Sequence, residues 1–294
     1  MLVHRFLTRK QELLLVLALV IGLVLTAGCS QDDGSESGEG ASMSAKIMFL
    51  HHSTGHVVWL GTTSKVSSKI LGRSAVKSRI GDYNKEIGTQ YEIEEMTFPT
   101  TSEGYPWANY PSDYYNIWVK NAGDTPYQGE PTLEMLTKDY DLIVWKHCYP
   151  VGSILPDTGA ADVDSSEKRL ENYKLQYAEL KQKMRAFPDT KFIVWTGAAL
   201  TEAKTSPDEA QRAREFFDWV KAEWDEPGDN IFVFDFYELE TEGGPYLKPE
   251  YASAPDNSHP TPEFGDRVAT LFVQRMVDVL EGRGDSTSLT GEAD

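Results

Sequence analysis

Five apolar runs punctuate the chain, at 47–51 (IMFLH), 91–98 (YEIEEMTF), 141–147 (DLIVWKH), 191–197 (KFIVWTG) and 230–236 (NIFVFDF). Each has the length and content of a buried strand. The runs at 141, 191 and 230 are nearly continuous, as expected of strands covered on both faces. The run at 91–98 interleaves Glu92, Glu94 and Glu95, which predicts a strand at the sheet edge. Helical spacing fills the intervals. Leu170, Tyr173, Leu175, Tyr177, Leu180 and Met184 recur at three and four within 165–187. Ser206-Pro207-Asp208-Glu209 is a helix start, with a capping serine, proline in the first turn and acids beside it. Thr261-Pro262-Glu263 opens the last helix, whose apolar side carries Val268, Leu271, Phe272, Met276, Val279 and Leu280, and Gly282 stops it. Strands alternating with helices predict parallel βαβ units in one three-layer α/β/α sandwich, with a five-stranded parallel sheet of the flavodoxin-like kind. This domain is expected over 46–282, followed by a disordered polar tail at 283–294. An aromatic insertion at 99–140, with Tyr105, Trp107, Tyr110, Tyr114, Tyr115, Trp118 and Tyr127, is expected to form short helices over the carboxyl edge of the sheet.

The first 28 residues read as an address. Arg5, Arg9 and Lys10 precede an apolar run from Leu13 to Gly28. At about 16 residues it falls short of the roughly 20 of a spanning helix and fits an export signal. Ala27-Gly28-Cys29 resembles the end of a bacterial lipoprotein signal, although Thr26 stands where that pattern more often has leucine. The resemblance implies lipidation of Cys29 and anchoring to a membrane on its extracytoplasmic side. Residues 29–45, rich in Ser, Gly, Glu and Asp, then form a flexible tether. Cys148 is the only other cysteine, so an acylated Cys29 leaves no internal disulfide.

The composition is that of a globular protein, 40% hydrophobic and 25% charged, with 46 acidic against 28 basic side chains. A net charge of −18 argues against a nucleic-acid partner, since no segment supplies a basic face. A monomer is expected.

Chemistry concentrates in the histidines. Setting aside His4 in the signal, His51, His52 and His56 follow the first strand, His147 ends the third, and His259 lies between the fifth and the last helix. All five are expected at the carboxyl edge, where open parallel sheets bind ligands. Two short segments stand out there. In FLHHSTG (49–55), Ser53 occupies the strand-to-helix turn, where a hydroxyl is presented at the top of the sheet, although serine is also favoured there as a simple helix cap. In APDNSHPT (254–261), Asp256 and His259 are three apart, so the carboxylate could fix the imidazole tautomer and leave the other nitrogen free as a base.

At these residues the chain resembles the SGNH (GDSL-like) hydrolases, which place a nucleophilic serine after strand one and end on an Asp-x-x-His block. The resemblance spans about 46–281. It implies a serine esterase with Ser53 as nucleophile, His259 as base and Asp256 as its orienting partner, working without a cofactor. Its substrate would be an ester-bearing small molecule or polysaccharide, with O-acetyl groups on carbohydrate as one case. The family's third block, which supplies an asparagine to the oxyanion hole, is replaced by Lys146-His147-Cys148-Tyr149-Pro150. The oxyanion donors are therefore expected among the Ser53 backbone N–H, Gly104, Asn109, Lys146 and His147. Two other readings compete. One is a catalytically degenerate carbohydrate-binding lipoprotein. The other is a metal hydrolase built from His51, His52, His56, His147 and Asp256. Against the latter, His51 and His52 point to opposite faces of an extended strand, and no HExxH or CxxC spacing occurs. The insertion's aromatics could stack on sugars or simply cover the sheet, and Cys148, at the end of an apolar strand, reads as an inert buried thiol.

Overall fold

The computed structural model describes residues 43–100, 104–108 and 110–293. The signal, Cys29 and nearly all of the tether lie outside them. Among the described residues no helix is long and apolar enough to cross a membrane.

The five apolar runs form β1 (Ser44–His51), β2 (Gln90–Thr97), β3 (Leu142–Trp145), β4 (Lys191–Trp195) and β5 (Ile231–Phe234). They pair in the order β2-β1-β3-β4-β5, all parallel, so the glutamate-bearing strand is an edge as its pattern predicts. Strand alternation divides the core. Met48, Leu50, Ile143, Trp145, Phe192, Val194, Ile231 and Val233 face one layer of helices, while Ile47, Phe49, Leu142, Val144, Ile193, Trp195, Phe232 and Phe234 face the other. The first layer holds α4 (Tyr110–Tyr115), α6 (Leu170–Arg185) and α7 (Pro207–Trp224). The second holds α1 (Ser53–Leu60), α3 (Ala75–Ile87) and α9 (Pro262–Leu280). This is the three-layer α/β/α sandwich expected from the pattern.

Local chemistry sets the helix starts. Ser206 accepts from the Glu209 N–H and the Glu209 carboxylate accepts in return from the Ser206 N–H, a complete capping box on α7. Thr261 caps α9. Helix α6 starts at Leu170 rather than 165, because the chain before it runs through turns and Arg169, in extended conformation, bridges to Leu155. Short helices complete the intervals: α2 (Lys65–Leu71), capped by Ser64, and α5 (Leu133–Asp139) precede β2 and β3, and α8 (Phe236–Thr241) follows β5.

The aromatic insertion does form short helices, but it packs beside α6 as part of a helical layer. Tyr110, Tyr114 and Trp118 are buried there, and Trp107 is the insertion's exposed large aromatic. The segment after α9 departs from expectation. Rather than hanging free, it closes on the domain. Arg275, fully buried on α9, donates to the Val233 carbonyl, the Gly284 carbonyl and Thr287, and the Leu289 carbonyl accepts from the Asp235 N–H. A buried guanidinium needs acceptors, and the polar tail supplies them.

Candidate active site

The β1–α1 turn leaves Ser53 exposed as the first residue of α1, at the carboxyl edge of the sheet. Close approach of helix to strand is possible because residue 55 is glycine: a Cβ there would sit 2.5 Å from that of His51. Ser53 is not a helix cap. His52 holds the N-cap position, and no side chain caps α1. The N–H of the exposed Ser53 is thus left to whatever approaches from solvent.

The partner arrives on a hairpin that the sequence did not announce, β6 (Ala252–Ala254) paired antiparallel with β7 (Asn257–Pro260). Pro255 and Asp256 form its turn. His259 projects from β7 with Nε2 2.9 Å from the Ser53 hydroxyl oxygen. Asp256 does not orient this ring. Asp256 sits in the turn outside the strand, whereas Asn257, two residues before His259 within β7, shares its face. Its Oδ1 accepts from the His259 backbone N–H at 3.1 Å and lies 2.8 Å from Nδ1. A backbone N–H only donates, so the atom facing it is the amide oxygen, and Nδ1 must then carry the ring hydrogen. That leaves Nε2 as an acceptor for the Ser53 O–H. Ser258, on the opposite face, is buried and accepts from the Thr201 N–H at 3.0 Å, fastening the hairpin to the domain. Burial lowers the His259 pKa, and the positive charge of Lys146 adds to the effect, both favouring the neutral ring. Tyr149 meets it edge-on at 5.1 Å.

Of the expected oxyanion donors, two are ruled out by position. Lys146 is wholly buried beneath the turn, donating to Thr54 Oγ1 and the His147 carbonyl, with its ammonium over the rings of Trp195 and Phe236. His147 is buried among Tyr110, Tyr114, Trp145 and Tyr177. Desolvation holds its pKa well below the usual histidine value. Neither side chain reaches solvent. Gly104 lies instead against the Gln128 carbonyl, and Asn109 lies outside the described residues. The Ser53 N–H keeps its place. Cys148, buried, sets its sulfur 3.2 Å from the Ser53 oxygen. The serine hydrogen being directed to His259, the thiol is the donor of that weak contact. A cleft of about 340 Å³ opens on the Asn257 side of the pair, between Tyr149, Ser153, Leu200, Lys204 and Asp256.

The remaining histidines separate as alternation requires. His52 turns toward the first layer and packs against Tyr110 at 5.0 Å, and burial brings its pKa to about 4. His51 turns to the second layer, where it meets His56 and Glu95. The five-ligand set imagined for a metal hydrolase is therefore not assembled: His52, His147 and Asp256 lie elsewhere.

No family model matches the chain, and no curated protein matches it. Solved structures similar to it include carbohydrate esterases. They include an active-site mutant of a family two carbohydrate esterase from Clostridium thermocellum, at 14% identity and TM-score 0.40, covering 83% of this chain and 66% of that one. A family two carbohydrate esterase from Cellvibrio japonicus is also similar, at 14% identity and TM-score 0.40, covering 82% and 63%. An acetyl xylan esterase from Geobacillus stearothermophilus follows at 12% identity and TM-score 0.45, covering 84% and 99%. The chain spans just under two thirds of the length of the first two.

Proposed function

We propose that this protein is a divergent SGNH-type serine esterase that removes small acyl groups from carbohydrate, carried on a lipid-anchored chain outside the cytoplasm. The observation that supports it above all is the 2.9 Å contact between Ser53 Oγ and His259 Nε2, made across 206 residues of sequence and oriented by Asn257. In this reading the Ser53 oxygen attacks the ester carbonyl while its proton passes to Nε2. The resulting imidazolium returns that proton to the departing alcohol, leaving an acyl-serine. Water, deprotonated by the same ring, then releases the acid. The tetrahedral oxyanion is held by the backbone N–H of Ser53, in the uncapped first turn of α1 at the positive end of the helix. Trp107, exposed and edge-on to Tyr110, which in turn packs on His52, offers a stacking face for a sugar ring beside the turn. Cys29 supplies the anchor.

The test is hydrolysis of p-nitrophenyl acetate and of acetylated xylo-oligosaccharides by wild type, Ser53→Ala and His259→Ala. Each substitution is expected to lower kcat by about 10³-fold or more. Equal rates in all three proteins would dispose of the esterase. The burial of Lys146 and His147, where the family has an oxyanion asparagine, favours a second reading as a carbohydrate-binding protein without turnover. Sugar binding that persists in Ser53→Ala, with no ester hydrolysed by wild type, would select it.

A further inference from the structure

We propose that His51, His56 and Glu95 form a binding site for a divalent transition-metal ion of the zinc type, distinct from the Ser53–His259 pair. The site lies on the second-layer face, where β1, α1 and β2 meet. Parallel register sets Glu95 beside Phe49, so its side chain points toward the helices of that layer. Tyr91 and Ile93, at the preceding same-face positions, are buried as core. The next position on that face, nearer the carboxyl end of the strand, is a partly exposed carboxylate. What it meets there is two imidazoles. Glu95 Oε2 lies 2.8 Å from His51 Nε2 and 3.3 Å from His56 Nδ1. All three donor atoms fall within 4.8 Å of one another, the one group of three or more such side chains that could hold a metal ion among the described residues.

Hydrogen bonding at the far side of His51 sharpens the point. His51 Nδ1 is 2.9 Å from the His52 carbonyl oxygen. A carbonyl only accepts, so Nδ1 carries a hydrogen. The same carbonyl accepts the first backbone bond of α1, from the His56 N–H at 3.1 Å, so it is held in place. In a ring with that single hydrogen, Nε2 presents a lone pair directly to a carboxylate oxygen. Two acceptors at 2.8 Å require a positive centre between them. An imidazole that donates one N–H to a carbonyl and turns the other nitrogen to an ion is the usual second-shell arrangement of a metal-binding histidine. Two imidazoles and a carboxylate suit zinc, cobalt, nickel or copper. Ligands about 2.1 Å from a tetrahedral ion lie roughly 3.4 Å apart; His56 Nδ1 and Glu95 Oε2 are at 3.3 Å, and His51 Nε2, at 2.8 Å from the same oxygen, would move back slightly to admit the ion. His51 is buried, Glu95 is partly exposed and His56 is half in solvent, so a fourth position opens to water. Such an ion would join β1, β2 and α1 immediately behind the turn that presents Ser53.

The experiment is zinc titration by calorimetry on the full chain, purified without a histidine tag and stripped with chelator. It is repeated on His56→Ala and Glu95→Gln, whose side chains are exposed enough for the fold to survive. His259→Ala serves as the control for the other accessible imidazole. Wild type and His259→Ala are expected to take up one zinc per chain. His56→Ala and Glu95→Gln are expected to bind at least tenfold more weakly. Cobalt in place of zinc should give the visible absorption of a tetrahedral site in wild type. Tm should rise by about 5 °C at saturating zinc, and only where the site is intact. Failure of wild type to bind zinc would overturn the proposal, leaving a proton between His51 and Glu95. Wild-type affinity retained in Glu95→Gln and His56→Ala would overturn it too, as would loss of binding in His259→Ala alone. None of these outcomes depends on whether Ser53 is a nucleophile.

Discussion

The two arms that meet at the candidate site are built in different ways. Ser53 stands at the end of β1, a strand flanked by neighbours on both sides in the central sheet, and is followed at once by a helix that packs on α9. His259 stands on a two-stranded ribbon outside that sheet, positioned by a neighbouring amide and by one buried hydroxyl on its reverse face. The first arm is fixed by the hydrophobic core. The second is fixed by polar contacts whose identity depends on strand alternation, together with the burial of Ala252 and Pro260 at its base. Chemistry that needs a hydroxyl and a base within one hydrogen bond is therefore more vulnerable from the ribbon side.

The sharpest way to test that asymmetry is to remove the amide. Asn257→Ala should lower kcat/KM for p-nitrophenyl acetate by about 10²-fold, because the ring loses its tautomer and its aim while Ser53 is untouched. Circular dichroism should stay native. Next comes the ribbon's fastening. Ser258→Ala leaves the buried Thr201 N–H without an acceptor and should reduce stability by about 1–3 kcal/mol in a urea titration. A gentler change is Asn257→Asp. A carboxylate beside Nδ1 favours the imidazolium, so the His259 pKa rises. Activity, which needs the neutral ring, should then fail at a higher pH, moving the acid limb of the kcat/KM profile up by about one unit. In wild type the ring's lowered pKa puts that limb below the ordinary histidine value of 6.5. The smallest effects are expected at residues the geometry sets aside. Asp256→Ala should keep kcat/KM within about twofold, the scale of a surface substitution. Loss of activity as large as that in Asn257→Ala would return the orienting role to Asp256. Cys148→Ala should likewise leave turnover intact, and abolished turnover would make the thiol a participant.

Much of this was legible before any coordinates. Apolar runs located all five strands, Glu92, Glu94 and Glu95 marked the edge strand, and Ser206 and Thr261 marked two helix starts, because each is a local signal. The meeting of Ser53 and His259 followed from the rule that parallel strands gather their loops at one edge. The Asp-x-x-His spacing alone points to Asp256 as the orienting residue. Two-residue alternation within a strand selects Asn257 instead, and that requires knowing that residues 257–260 are extended. Lys146 and His147 were credited as donors because polar residues at a strand end suggest a site. Packing of Tyr110, Tyr114 and Tyr177 over His147 depends on contacts from distant segments that no local pattern reveals. The tail was misjudged for a related reason. Its polarity suggested solvent, but the buried Arg275 turns that polarity into a need. Glu95 did leave a trace in the sequence, a charge at the inward position after Tyr91 and Ile93.

The ribbon that carries His259 has one further consequence. With its few attachments it can drift while the central sheet stays intact, so the distance to Ser53 will lengthen before the sandwich melts. Warming should then silence the protein at a temperature where its ellipticity is still unchanged, and cooling should restore it without any refolding.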